Sequence, residues 1–416
     1  MGADRKSMTW KQKGLGLIAV GIGLLLVAGL ALYTYFLATM KPLHPDPQAV
    51  TSVRHVAPPA RWADAVERVK PLVRAHLSER NLPGLSVAVG VGGEIVWAEG
   101  FGWADLEKQV PVAPDTVFRI GSVSTALTSA AVGVLVEQGR LNLDDEIQAY
   151  VPTYPRKAWP VTLRQLMGHT GGVRHFNDEE FMPQGHCERT LDGLRLFADD
   201  PLRFEPGSRD RFSTYGWILV SAAVEAAADE PLFTFMRRQV FEPVGMSGTA
   251  PDSAAEPPAD RATLYWPRTS EDPRYGHDVA SDADYSCFSG AGAFLSTPSD
   301  LVRFGMALAG GKLLKPETVK MLQTPQRLSS GEESEYGLGW GLKTVPLAGE
   351  QTRVAGHGRP LLPEATLMGG STSLITFPER GITVSVTSNI SSAETSNIAI
   401  RIAEVFVERA KTPARD

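Results

Sequence analysis

The two ends of the chain carry the same pattern, and this limits the fold more than any other feature. Near the start, LSVAVGV (85–91) and EIVWAEGFGWA (94–104) alternate apolar and polar residues around Gly92-Gly93, the signature of a β-hairpin. Near the end, STSLITF (371–377) and ITVSVTS (382–388) alternate in the same way around a PERG turn. Each hairpin has a helix beside it. ADAVERVKPLVRAHLSERN (63–81) repeats apolar residues at helical spacing and stops at Pro83-Gly84, and the tail IAIRIAEVFVERA (398–410) is patterned likewise. A half-apolar hairpin must cover its apolar face. Two such units predict one antiparallel sheet assembled from both chain ends, flanked by helices, with the middle inserted as a mostly helical region. The expected fold class is therefore α/β in the α+β sense, with its functional groups at the seam between the two parts.

Before this pattern begins, Leu15 to Ala38 carries no charge and is long enough as a helix to cross a hydrocarbon core of roughly 30 Å. It reads as one transmembrane helix, since it exceeds the apolar core of a signal peptide and lacks a clean small-x-small exit. Arg5, Lys6, Lys11 and Lys13 precede it against a single Asp4, which predicts a cytoplasmic N-terminus and a domain in the periplasm or outside the cell. KPLHPDPQAVTSVRHVAPPAR is rich in proline and poor in apolar periodicity, so it reads as an extended tether. The expected organisation is a cytoplasmic tail at 1–13, a transmembrane helix at 14–39, a tether at 40–61 and a folded domain at 62–416.

Composition fits one large domain: of 416 residues 43% are hydrophobic, enough for a sizeable core. Its 41 basic and 47 acidic residues give a net charge of -6, with no long run of like charge after the first few residues, which argues against a nucleic-acid partner. Cys187 and Cys287 are the only cysteines; they can pair in an oxidising compartment but do not make a disulfide framework. C-x-x-C and H-E-x-x-H are absent, so neither a zinc site nor any other cofactor is expected.

Chemistry is suggested by I-G-S-V-S-T-A-L-T at 120–128. A strand-like TVFRIG leads into Ser122, and a helix-patterned TALTSAAVGVLVEQG follows and stops at Gly139. A serine at the first turn of a helix gains from the positive end of the macrodipole, and backbone N–H groups there can stabilise an oxyanion. Alone, the pattern equally describes an N-cap.

The neighbourhood changes that balance. FRIGSVS, LVEQGRLNLDDEIQAYVP, VTLRQLMGHTGGVRHF, FEPGSRDRFSTYGWILVSAAVE, GAGAFLSTPSDLVRFG, YGLGWGL, VAGHG and STSLITFPERGITVSVTSN follow in order. From about residue 62 to 410 the chain resembles the serine beta-lactamase-related family: class C beta-lactamases, penicillin-binding D-alanyl-D-alanine peptidases, their esterase relatives and serine beta-lactamase-like proteins of mitochondrial type. The resemblance implies a covalent acyl-serine mechanism in a beta-lactamase/transpeptidase-like fold. Such enzymes use a serine nucleophile, a lysine three residues on and the tyrosine of a Tyr-x-Asn motif to handle protons, and a Lys/His-Thr-Gly strand to hold substrate.

Carried over residue by residue, the nucleophile falls on Ser122. The lysine position holds Thr125, the tyrosine position Phe212 and the asparagine position Thr214. The last motif starts at His357 but continues Gly358, Arg359, Pro360, and proline offers no N–H to an oxyanion. His357 is the one ionisable residue retained in the three motifs, so it is the candidate base for Ser122 or an orienting group for a bound carboxylate. Thr125, Phe212, Thr214, Gly358 and Arg359 are candidate ligand contacts, with Arg359 suited to an anionic group such as a peptide C-terminus. Ser124 offers a further hydroxyl, while His169, His175 and Asp210 are weaker candidates near the same motifs. Thr125 cannot accept a proton near neutral pH and Phe212 cannot relay one. The expectation is a membrane-anchored serine hydrolase or peptidase with impaired catalysis, acting on peptides, peptidoglycan-like molecules or esters, or else a non-catalytic relative that binds such a ligand or a protein partner.

Overall fold

The computed structural model describes residues 10–177, 179–180, 185–253, 257–269, 272–281, 283–357, 365–367 and 369–411. Its central sheet joins the two chain ends. Strands lie in the order Ser52–Val53, Glu94–Asp105, Gly84–Val91, Ile382–Ser388, Gly370–Phe377, Glu350–His357 and Gly341–Leu347. Ala365–Leu367 adds to Gly370–Phe377, and Val110–Pro111 to Glu94–Asp105. All pairs are antiparallel. Leu85 faces Ser388 and Val87 faces Val386, so the first hairpin and the last are direct neighbours.

Alternation assigns the two faces of this sheet. Leu85, Val87, Val89, Ile375, Val384 and Val386 turn towards the helices Ala63–Glu79 and Thr395–Lys411 and share one buried cluster with them. Trp62, Trp97 and Phe406 close that layer, with ring centroids 5.6 Å apart for Trp62–Phe406 and 6.5 Å for Trp97–Phe406. On the opposite face the helix Pro298–Ala309 approaches so closely that a Cβ on Gly90 would lie 2.3 Å from the Met306 sulfur. The inserted region has its own core, built on the helices Ser124–Glu137 and Thr214–Ala228, whose residues are buried nearly throughout. This explains their lack of a polar face: both are interior helices.

Cys187 and Cys287 form a disulfide that ties the 185–196 segment to the stretch Ser286–Ala291. The helix Trp10–Thr39 contains, at Gly16–Tyr35, a stretch of mean hydropathy 2.4 that is long and apolar enough to cross a membrane.

One expectation needs correction. The stretch read as an extended tether is docked on the domain, which begins near Leu43 and not at Trp62. Leu43 N–H donates to Asn81 Oδ1 at 2.8 Å. The buried His44 ring sits 3.1 Å from the Leu82 carbonyl, and Ser78 Oγ donates to the His44 carbonyl at 2.6 Å. Val50 is buried, and Ser52 and Val53 pair with Phe101 and Gly100. Polar groups at and just after the end of the helix Ala63–Glu79, the Ser78 hydroxyl, the Asn81 side-chain oxygen and the Leu82 and Pro83 carbonyls, hold this segment, and hydrophobic patterning carries little trace of them.

Candidate active site

The serine turn is positioned from below by Arg119. The short strand Phe118–Arg119 pairs with Phe294–Ser296. The Arg119 guanidinium is completely buried in an ion pair with Asp252, reaches the Ala283 carbonyl at 3.2 Å and lies 4.7 Å over the Tyr285 ring. A buried charge of this kind persists only when paired and hydrogen-bonded. Its carbonyl accepts from Thr372 Oγ1 at 3.2 Å, joining the turn to the central sheet. Gly370 permits that approach, because a Cβ there would lie 2.9 Å from the same carbonyl oxygen. Gly121, at φ +51°, then turns the chain into a single 3-10 turn, Gly121–Val123, and the helix Ser124–Glu137 follows.

Ser122 lines a cavity of about 780 Å³ together with His175, Phe212, Thr214 and Phe288. Ser122, Phe212 and Thr214 thus share one cavity. Among the described residues no group hydrogen-bonds the Ser122 hydroxyl.

Thr125 and His357 sit elsewhere than expected. Thr125 is 1% exposed and does not line the cavity; its Oγ1 donates to the Ser122 carbonyl at 2.7 Å and lies 3.3 Å from His357 Nε2. His357 ends the strand Glu350–His357 at 0% exposure, and its Nε2 lies 2.9 Å from the Gly339 carbonyl. A carbonyl only accepts, so this contact places the ring hydrogen on Nε2. Burial pushes the His357 pKa down to about 4, and the ring is neutral at neutral pH. Neither residue lines the cleft: Thr125 Oγ1 and His357 Nε2 are engaged with backbone carbonyls, while the buried His357 Nδ1 has no hydrogen-bond partner among the described residues. Gly358 and Arg359 lie outside the described residues, as does Pro360. Ser124 is likewise not a ligand contact: it is fully buried and does not line the cavity.

Two histidines do a job that motif matching did not identify. His169 Nδ1 accepts from Ser213 N–H at 3.1 Å, and His175 Nδ1 accepts from Thr214 N–H at 3.3 Å. Both therefore hold the Phe212–Thr214 segment against the loop that carries them. Burial lowers the His169 pKa to about 3 and that of His175 to about 4, which keeps each Nδ1 lone pair available. The His169 ring also packs against Phe212, centroid to centroid 4.6 Å, and against Tyr336 at 4.4 Å. The sequence signal was the MGHTGGVRHF block itself, which places two histidines beside one turn. Asp210 is exposed and does not line the cavity.

The model of the family described as Beta-lactamase matches residues 69–406, which is most of the chain. The chain belongs to the beta-lactamase family. Its relatives include the mitochondrial serine beta-lactamase-like protein LACTB of Homo sapiens, 28% identical over 84% of this chain and 81% of that protein. Penicillin-binding protein 4* of Bacillus subtilis (strain 168) is 26% identical over 68% of this chain and 64% of its own length. Among solved structures, the octameric penicillin-binding protein homologue from Pyrococcus abyssi superposes with a TM-score of 0.69 at 22% identity, covering 83% of this chain and 78% of the other. The D-amino acid amidase from Ochrobactrum anthropi SV3 gives 0.68 at 22% identity, covering 84% and 98%. At these identities the superpositions establish the shared mixed α/β fold. The family is one of serine hydrolases of the beta-lactamase and penicillin-binding-protein type.

Proposed function

We propose that this beta-lactamase-family protein has the serine hydrolase fold but impaired acyl-serine chemistry, so that the Ser122 cleft works chiefly as a binding site for peptide, peptidoglycan-like or ester ligands. The observation that carries the reading is the surroundings of Ser122. The side chain that stands for the lysine, Thr125, is buried and bound to the Ser122 carbonyl, and Phe212 has no hydroxyl. A neutral hydroxyl without a base is a poor nucleophile, and positioned acid–base groups commonly supply factors of about 10² to 10⁴. We further propose that the helix Trp10–Thr39 anchors the protein in a membrane, N-terminus in the cytoplasm and domain in the periplasm or outside the cell. Support comes from the cationic residues before the apolar stretch Gly16–Tyr35 and from the disulfide, which suits an oxidising compartment.

Labelling with a fluorescent phosphonate and a fluorescent penicillin tests the catalytic half of this reading. Wild-type protein at neutral pH should label no faster than Ser122→Ala, while an active penicillin-binding protein labels in the same buffer. Rapid labelling that disappears in Ser122→Ala overturns it.

A further inference from the structure

The cavity beside Ser122 has an unbalanced charge. Arg174, Arg203, Arg209 and Arg211 all line it, and among the described residues no aspartate or glutamate does. Arg174 is already compensated, 2.6 Å from Glu180 and 2.5 Å from Asp200. Arg203, Arg209 and Arg211 are exposed and have no carboxylate partner among the described residues. Glu205 and Asp210 belong to the same stretch but do not line the cavity.

The backbone that carries these arginines is fixed. Arg203 N–H donates to the Gly172 carbonyl at 2.8 Å, Gly207 N–H to Thr170 at 2.8 Å and Arg211 N–H to His169 at 2.9 Å. The stretch is thus strapped along the loop that also clamps Phe212 and Thr214. Three guanidinium groups repel one another around one concavity, in a chain whose net charge is -6. A cleft lined by one sign of charge concentrates ions of the other. Its apolar walls are Phe176, Phe204, Phe212 and Phe288, with Phe176 and Phe288 stacked at 5.5 Å.

We propose that this wall selects a ligand carrying two or more negative charges, as carboxylates or phosphates, next to an aromatic or aliphatic group that lies on the phenylalanines. Planar guanidinium groups grip either kind of oxyanion by paired hydrogen bonds. The inference rests on the reading that the Ser122 cleft is the ligand site, and adds what enters it and from which wall it is held.

Three dansyl probes test it by fluorescence titration of the full chain in detergent: dansyl-triglutamate, dansyl-aminoethyl phosphate and the neutral dansyl-triglutamine amide. At least one anionic probe should bind about tenfold or more tightly than the neutral one, a difference of about 1.4 kcal/mol. That advantage should shrink as salt rises. The better of the two anionic probes assigns the source as carboxylate or phosphate. Arg203→Gln, Arg209→Gln and Arg211→Gln together should abolish the advantage of the anionic probes over the neutral one and leave the melting temperature within a few degrees, since the replaced side chains are exposed. Equal binding of charged and neutral probes, no binding of any probe, or an advantage that survives the triple change overturns the proposal. Ser122 labelling is read separately: rapid labelling would defeat the impaired-catalysis reading and leave the charge preference standing.

Discussion

Thr125 donates its hydroxyl hydrogen to the carbonyl oxygen of Ser122, 2.7 Å away, three residues back along the same turn. The position from which a lysine would reach the serine side chain is thus occupied by a short group that satisfies the backbone. Its oxygen also lies 3.3 Å from His357 Nε2, which is itself engaged with Gly339. Among the described residues, then, neither Thr125 nor His357 is hydrogen-bonded to the Ser122 hydroxyl.

On the proposed reading, supplying the family's lysine and tyrosine should restore chemistry. Thr125→Lys with Phe212→Tyr is expected to raise Ser122-dependent hydrolysis of a nitrophenyl ester by about 10² or more, the scale of positioned acid–base catalysis. Either single change should give less than the pair, because such groups act as a unit. Ester turnover by the double variant, with and without Ser122→Ala, measures this. A folded double variant that gains nothing would place the defect elsewhere, at the oxyanion site.

The buried histidines make stability depend on pH in a definite direction. His169 is held at about 3, and His175 and His357 at about 4, against an ordinary value of 6.5, in each case first because burial disfavours the charged ring. The unfolded chain therefore binds protons that the folded chain refuses. Their contribution is fully present above about pH 6.5 and is lost as pH falls towards 4, by about 1.4 kcal/mol per pH unit for each proton taken up. His44 and His76, also lowered by burial, add with the same sign. Glu180, held down at about 2 by Arg174 against an ordinary value of 4.5, keeps its contribution above about pH 4.5 and loses it only as pH falls further towards 2. Urea midpoints should fall steadily from pH 7 to pH 5, and His357→Asn should flatten the slope. A midpoint independent of pH across that window would show that these rings are protonated in the folded state.

The fold was legible because its sheet is built from the two segments whose alternation is clearest, Leu85–Val91 and Ser371–Ser388, and pairing them requires only that each cover an apolar face. The serine turn was legible because Ser122 sits between a strand and an interior helix. The real placement of His357 and Thr125 was not, since motif spacing says which residues are near but not whether a ring faces the cleft or the backbone beneath it. The MGHTGGVRHF block shows that His169 and His175 stand beside one turn, but not which N–H groups some forty residues away they accept from.

The disulfide should matter for stability in proportion to the chain it closes. Cys187 and Cys287 are 100 residues apart, and cross-links of this kind typically contribute about 2–4 kcal/mol, mainly by restricting the unfolded chain. Reduction, or Cys187→Ser with Cys287→Ser, is expected to lower the melting temperature by several degrees. It should also weaken ligand binding, because Phe288, one residue from Cys287, lines the cleft. Calorimetry with and without reductant checks the first effect, and probe titration the second. An unchanged melting temperature would mean that the 185–196 segment is held sufficiently by its other bonds, such as Cys187 N–H to Ser286 Oγ at 2.9 Å.

The docked segment before Trp62 gives a sharper test, because a tether and a structural element behave oppositely when removed. A soluble chain beginning at Lys41 keeps the buried Val50, the His44 contacts with Leu82 and Pro83, and the edge strand paired with Phe101 and Gly100. One beginning at Pro58 loses all of these and uncovers the edge of the sheet. Burial of one valine is worth about 1.5 to 3 kcal/mol and each lost hydrogen bond about 1, so the shorter chain is expected to be less stable by about 3 kcal/mol or more. Urea unfolding of the two chains side by side measures the difference. Coincident midpoints would return the segment to the status of a tether. If the longer chain is the more stable one, only Met40, Lys41 and Pro42 separate the end of the apolar helix at Thr39 from the first bond to the domain at Leu43. At about 3.3 to 3.6 Å per residue, a domain anchored by that helix stays close against the membrane surface.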